Sequence, residues 1–214
     1  MISRLREPVN ALTHLTGAAL SAVGLVVLIR LSVLYGTAYH VVSFAIFGAS
    51  LILLYLASGL YHGLRLSPRG LQLLRRMDHM SIYVLIAGTY TPFCLGPLRG
   101  PWGWSLLGAI WGLALVGIAV KAFWMSAPRW LYVLFYVLMG WLVMVAFYPL
   151  VKSAPPASVA LLVTGGIIYT VGAVVYAAKW PNLLPGRFGF HEVWHLFVMG
   201  GSISHFLAVY YLVG

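Results

Sequence analysis

Acidic residues are almost missing from this chain: three Asp and Glu stand against 13 Lys and Arg in 214 residues. Charged residues of both signs make up 7% of it, where an average soluble domain carries about 25%. With 62% hydrophobic residues and a mean hydropathy of +0.97, too little polar surface exists to cover a water-soluble core. A soluble globular protein and a disordered tail are thereby excluded. A nucleic-acid binder is excluded as well, because the net charge of +10 is spread thinly between apolar runs. Cysteine is equally scarce. The single one, Cys94, can form no intramolecular disulfide and build no cysteine-rich metal site. The first apolar run is of full spanning length and is followed by more, so no cleavable signal peptide is expected.

What is abundant is long apolar sequence. A membrane-crossing helix needs about 20 apolar residues, and seven of them with short loops consume nearly the whole chain. Residues 1–214 therefore read as one integral membrane domain, an all-α bundle of seven transmembrane helices. The helices are expected at about 12–34, 40–62, 78–97, 103–120, 130–149, 157–178 and 191–213. Proline and glycine punctuate the joints: Pro68 to Gly70, Gly96-Pro97, Gly100-Pro101, Pro128, Pro149, Pro155-Pro156, and the stretch holding Pro181, Pro185, Gly186 and Gly189. On alternate sides the basic residues divide unevenly. Arg4, Arg6, Arg65, Arg69, Arg75, Arg76, Lys121, Arg129, Lys179 and Arg187 fall on one side; Arg30, Arg99 and Lys152 fall on the other. Positive loops stay in the cytoplasm, so the N-terminus is expected inside and the C-terminus outside. Trp102, Trp104, Trp124, Trp130 and Trp180 lie near span ends and suit an interfacial belt.

Ionisable residues at membrane depth are expensive and point to function. Glu7 and His14 open helix 1, His62 closes helix 2, Asp78 and His79 open helix 3, and His191, Glu192 and His195 open helix 7. The alternating topology brings all of these to the cytoplasmic leaflet; His40 and His205 fall in the outer half. His191 and His195 are four apart, so their rings share one helix face, an arrangement that grips a zinc ion. A catalytic zinc site needs a third protein ligand. Without a second cysteine it falls to a histidine or an acid, with His62 the first choice. Asp78 would hold a water beside the ion or ligate it directly. Ser58 lies one turn before His62, where it either bonds back to its own helix or donates to a transition state near the metal. Arg65, Arg75 and Arg76 form a basic collar that sets topology or attracts anionic headgroups.

His191-Glu192-Val193-Trp194-His195 also matches the H-E-x-x-H pattern of zinc metalloproteases, with Glu192 as base. That pattern takes its third ligand downstream. Only His205 is available there, about 15 Å further along the axis at ~1.5 Å per residue, which is too far to share a metal. A standard metalloprotease is disfavoured, and Glu192 is expected to meet an arginine or the helix N-terminus instead.

Taken in order, four segments resemble the bacterial hemolysin III proteins, relatives of the progestin and adiponectin receptor family. They are Glu7-Pro8-Val9-Asn10-Ala11-Leu12-Thr13-His14, Ser58-Gly59-Leu60-Tyr61-His62, Met77-Asp78-His79 and His191-Glu192-Val193-Trp194-His195. The resemblance covers nearly the whole chain. It implies a seven-helix, multi-pass protein of the bacterial plasma membrane with a cytoplasmic N-terminus. It further implies Zn²⁺ held by His62, His191 and His195, Asp78 reaching the ion through water, and Ser58 one turn before the first ligand. The wider group includes alkaline ceramidases, proposed metal-dependent membrane hydrolases. The bacterial branch is also named for cell lysis, and some members are linked to membrane lipid homeostasis.

Three readings follow. The first is a zinc-dependent hydrolase of a lipid amide or ester at the cytoplasmic leaflet, with a membrane lipid or fatty acid between the helices. There Asp78 would orient the attacking water and Ser58 would steady the oxyanion. The second is a membrane homeostasis or sensor protein in which zinc only staples helices. The third, a cytolytic pore former, fits badly with a chain too apolar to be secreted in soluble form.

Overall fold

The computed structural model describes residues 5–184 and 188–213, so Arg4, Pro185, Gly186 and Arg187 of the expectations above lie outside the described residues. The described chain is all helix apart from one isolated antiparallel bridge, Leu184 with Phe188. In order, the helices are α1 (Pro8–Tyr35), α2 (Ala38–Gly63), α3 (Pro68–Leu95), α4 (Pro101–Phe123), α5 (Arg129–Trp141), a 3₁₀ turn (Leu142–Ala146), α6 (Phe147–Ser153), α7 (Pro156–Ala178) and α8 (Phe190–Tyr210). Since α5, the 3₁₀ turn and α6 run on as one apolar segment, Arg129–Ser153, the chain makes seven rods. Six of these are long and apolar enough to cross a membrane. The exception is α3, 28 residues long but laden with Arg69, Arg75, Arg76, Asp78 and His79 over its first half.

Two boundaries differ from the sequence reading for physical reasons. Helix 3 was expected at 78 and begins ten residues earlier, at Pro68. Ser67 accepts a hydrogen bond from the Gly70 N–H, and Pro68 takes the first helical position, where a missing N–H costs nothing. The arginines are good helix formers, so the helix continues past the apolar stretch, and Asp78 sits within a helix instead of at its start. Helix 5 was expected unbroken over 130–149 with Pro149 as its end. It breaks instead at 142–146, and Pro149 falls in the first turn of α6. There a proline is tolerated, because first-turn N–H groups have no helical partner. The break is held by Tyr90, whose hydroxyl accepts from Val143 N–H at 2.8 Å and faces the Met139 and Gly140 carbonyls, both at 2.8 Å.

Large apolar side chains point outward around the bundle, Val26, Leu115 and Phe123 among them. In water that would be a liability; facing acyl chains it is the expected surface. All five belt tryptophans are exposed as well. Inside, helices touch through glycine. Gly59 lies against Leu15 and Gly17 against the Tyr55 ring, closing α1 on α2; Gly117 lies against Tyr83, closing α4 on α3. Tyr83 is fully buried beside Tyr136 and Phe135, so it has nowhere to retreat. Gly112, on the same helix as Gly117, has open space around its Cα. Gly117→Ala is therefore expected to lower the unfolding temperature in detergent, at a cost of about 1–3 kcal/mol from overpacking. Gly112→Ala should be neutral or stabilising by up to ~1 kcal/mol. Equal effects of the two would contradict this packing.

Candidate metal centre

The site begins with the end of a helix. The last turn of α2 leaves carbonyls without helical donors, and the chain entering α1 supplies donors for two of them. Glu7 N–H donates to His62 O at 3.0 Å and Arg6 N–H to Gly63 O at 3.3 Å. These backbone bonds set the Glu7 carboxylate against the His62 ring. The His62 Nδ1–H donates to Glu7 Oε2 at 2.6 Å, a charge-assisted length. Arg6 Nη2 lies 3.1 Å from the other carboxylate oxygen, and Asn10 Nδ2 donates to Oε2 at 3.3 Å. Burial works against ionisation of Glu7, but the hydrogen bond from His62, with Arg6 and Asn10, outweighs it and holds the carboxyl at about 2. An ionised acceptor on Nδ1 fixes the tautomer of His62 and leaves Nε2 with a free lone pair.

That Nε2 faces α8. His191 Nε2 is 3.3 Å from His62 Nε2. The ring centroids of His62, His191 and His195 stand 5.0, 4.9 and 4.9 Å apart, close to an equilateral triangle. One nitrogen from each lies within 4.8 Å of the others, a set that could hold a metal ion. The fit can be tested on the donors themselves. Tetrahedral Zn–N bonds of ~2.0–2.1 Å place two ligand nitrogens about 3.3–3.4 Å apart, which the His62 and His191 pair matches. His195 is buried, and its Nδ1 has no hydrogen-bond partner, a costly state for a ring in an apolar site. The residues present fit a nitrogen-loving divalent ion.

Around the triangle the first turns of α1 contribute a face that the sequence reading left without a role. Asn10 and His14 are both buried and follow Glu7 at helical spacing. Asn10 Nδ2 also donates to Glu192 Oε1 at 2.8 Å, while Glu192 Oε2 accepts from Gly189 N–H at 2.8 Å. Glu192 is thus the N-terminal cap of α8 and its tether to α1, as the helix-terminus reading expected, and its carboxylate is committed to both tasks. His14 stacks on His195 with centroids 3.6 Å apart and planes 13° from parallel, and meets Tyr55 edge-on. In retrospect, Glu7, Asn10 and His14 at spacings of three and four on a chain with three acids were the available signal.

Asp78 and Ser58 line the same cavity as the three histidines, with the Ser58 hydroxyl hydrogen-bonded to the Asp78 carboxyl. Asp78 is not part of the metal-competent set, so the option of direct ligation finds no support. His205 lines the same cavity but is not part of the metal-competent set; its Nε2 meets the Leu162 carbonyl at 3.1 Å. His40 caps α2 through Thr37. From the histidines the cavity, about 400 Å³ in volume, extends between the helices as far as Phe93, Leu98 and Phe147. That is within the range of sites for small molecules.

Comparison with known proteins places the chain in a family. The family described as "Haemolysin-III related" matches residues 2–206. The "Hemolysin-3 homolog" of Bacillus subtilis (strain 168) is 44% identical over 209 residues, covering 98% of this chain and 95% of that protein. The "Hemolysin-3" of Bacillus cereus is 45% identical over 207 residues, covering 97% and 91%. The human "Monocyte to macrophage differentiation factor" is 28% identical over 212 residues, covering 94% of this chain and 82% of its own. Apolar spans, the shared sequence along nearly the full length and the matching family profile lead to one conclusion: the chain is a multi-pass bacterial membrane protein and belongs to the haemolysin-III related family.

Proposed function

We propose that this protein is a zinc-dependent hydrolase of a lipid amide or ester, crossing the membrane seven times with its N-terminus and its metal centre on the cytoplasmic side. The observation that carries the reading is the convergence of three histidine nitrogens on a largely apolar cavity of about 400 Å³, with a carboxylate and a hydroxyl beside them. His62, His191 and His195 would hold the ion. Zinc in such a site supplies Lewis acidity and lowers the pKa of water from 15.7 to about 7, so that a nucleophile exists at neutral pH. The protein's own groups do the rest. Glu7 keeps His62 turned with Nε2 inward. Asp78 orients the attacking water and takes its proton. Ser58, whose single O–H is released from Asp78 as that carboxylate takes the water's proton, donates to the oxygen that gains charge as the acyl carbonyl is attacked. The apolar walls exclude other water and position the chain.

The reading with zinc as a structural staple has its own support: the centre joins α2 to α8, and Glu7, Asn10 and Glu192 bind α1 to both. The two separate by experiment. Asp78→Asn in purified protein is expected to keep about one zinc per chain and to lose turnover of acyl amides or esters by roughly 10²- to 10⁴-fold. Unchanged turnover would remove Asp78 from the chemistry. If the zinc-loaded wild type turns over neither class, and chelation lowers only its unfolding temperature, the staple reading stands. Glu7→Gln is expected to weaken zinc affinity about 10- to 100-fold in a competition titration with a chromogenic chelator. Unaltered affinity would mean that the carboxylate does not orient His62.

A further inference from the structure

The three metal-competent histidines are not held alike. His62 is fixed through Nδ1 by the Glu7 carboxylate at 2.6 Å. The Nδ1 of His195 has no such partner. What meets the His195 ring is the face of His14, with centroids 3.6 Å apart and planes 13° from parallel. That is van der Waals contact across whole ring faces. It is closer than the approach of His195 to His62 and His191, both at 4.9 Å. His14 is itself pinned. It is 3% exposed and meets Tyr55 in a T-shaped contact, centroids 5.0 Å apart. Gly17, one turn further along α1, leaves the Tyr55 ring the room that a side chain would take. The Tyr55 hydroxyl donates to the Val198 carbonyl at 3.3 Å, three residues beyond His195. Rings from α8, α1 and α2 thus stand in one row.

His14 is not a ligand in this arrangement. A ligating imidazole points a nitrogen lone pair at the ion, so the ion lies in the plane of the ring. Two nearly parallel rings in face contact cannot both hold one ion in their planes. The metal-competent set accordingly holds His62, His191 and His195 without His14. Its nitrogens do no structural work either, since both are buried without a hydrogen-bond partner. What His14 offers the centre is its flat face.

We propose that His14 is a positioning residue of the metal centre: its ring face fixes the plane of His195 and so aims that histidine at the point where His62 and His191 converge. The inference rests on the centre holding an ion, and it deepens that reading by making α1 part of the ligand geometry. A ring free to turn about its Cβ–Cγ bond loses that freedom when it ligates, at an entropic cost to affinity. A face that holds the ring beforehand removes the cost. The role needs a flat ring at position 14 and not its nitrogens. Phenylalanine would fill it; an aliphatic side chain of similar bulk would not.

The test is the zinc affinity of the detergent-purified full chain, read by competition with a chromogenic chelator, beside the unfolding temperature of the metal-free protein. His14→Leu is expected to weaken affinity about 10- to 100-fold, the range for groups that orient a ligating histidine, with the metal-free unfolding temperature little changed. His14→Phe is expected to bring affinity back to within a few-fold of the wild type. Should His14→Phe be too bulky to fold, Tyr55→Leu and Tyr55→Phe replace it. Loosening the ring behind His14 should weaken zinc binding severalfold, and the aromatic replacement should not. Wild-type affinity in His14→Leu, or in Tyr55→Leu, would overturn the proposal. An equal loss in His14→Leu and His14→Phe would also overturn it, since the task would then belong to the nitrogens. So would a loss in His14→Leu that only tracks a fall in the metal-free unfolding temperature. A wild type that binds no zinc is a separate outcome: it overturns the metal centre itself, and the role of His14 with it.

Discussion

The 2.6 Å hydrogen bond from His62 to Glu7 is the contact on which the rest of the site depends. It decides which nitrogen of His62 faces the cavity, and it anchors the start of α1 to the end of α2. Through Asn10, which touches both Glu7 and Glu192, the same small network reaches the N-terminus of α8. Three of the four helices that carry the polar residues of the site, α1, α2 and α8, are thereby registered to one another. In a medium without water every such group needs an internal partner. The network therefore constrains the fold and the chemistry together.

Charge is distributed with the same economy. Two of the chain's three carboxylates serve helix ends and one histidine, and the third stands beside Ser58 at the cavity wall. The cations gather near the span ends, and among the described ones Lys121 is set apart by having no exposed surface. Positive-inside selection places basic residues in loops and near span ends, where they remain hydrated. A lysine with no exposed surface is a different object, and its ammonium rests on the face of the Tyr132 ring.

Much of this was legible in the chain. Apolar run length gave the helices, and the i, i+4 pair of His191 and His195 with His62 on the same leaflet gave the metal set. What escaped had physical causes. The start of α3 was missed because hydropathy measures the apolar slab and not the helix, though Ser67-Pro68 signalled a cap. The break at 142–146 could not be read locally, because it is held by Tyr90, some 50 residues away. Glu7, Asn10 and His14 looked like a helix entry, since only the fold brings their partners at 62, 192 and 195. The burial of Lys121 against the Tyr132 ring was not visible, because only the fold brings α4 and α5 together there.

The most direct test of the central claim is the metal content per chain, by elemental analysis of protein purified in mild detergent without chelator, beside the His191→Ala, His195→Ala double variant. About one zinc per chain in the wild type, lost in the double variant, is the predicted result. A folded wild type without metal, or zinc that persists when both histidines are removed, would contradict the account.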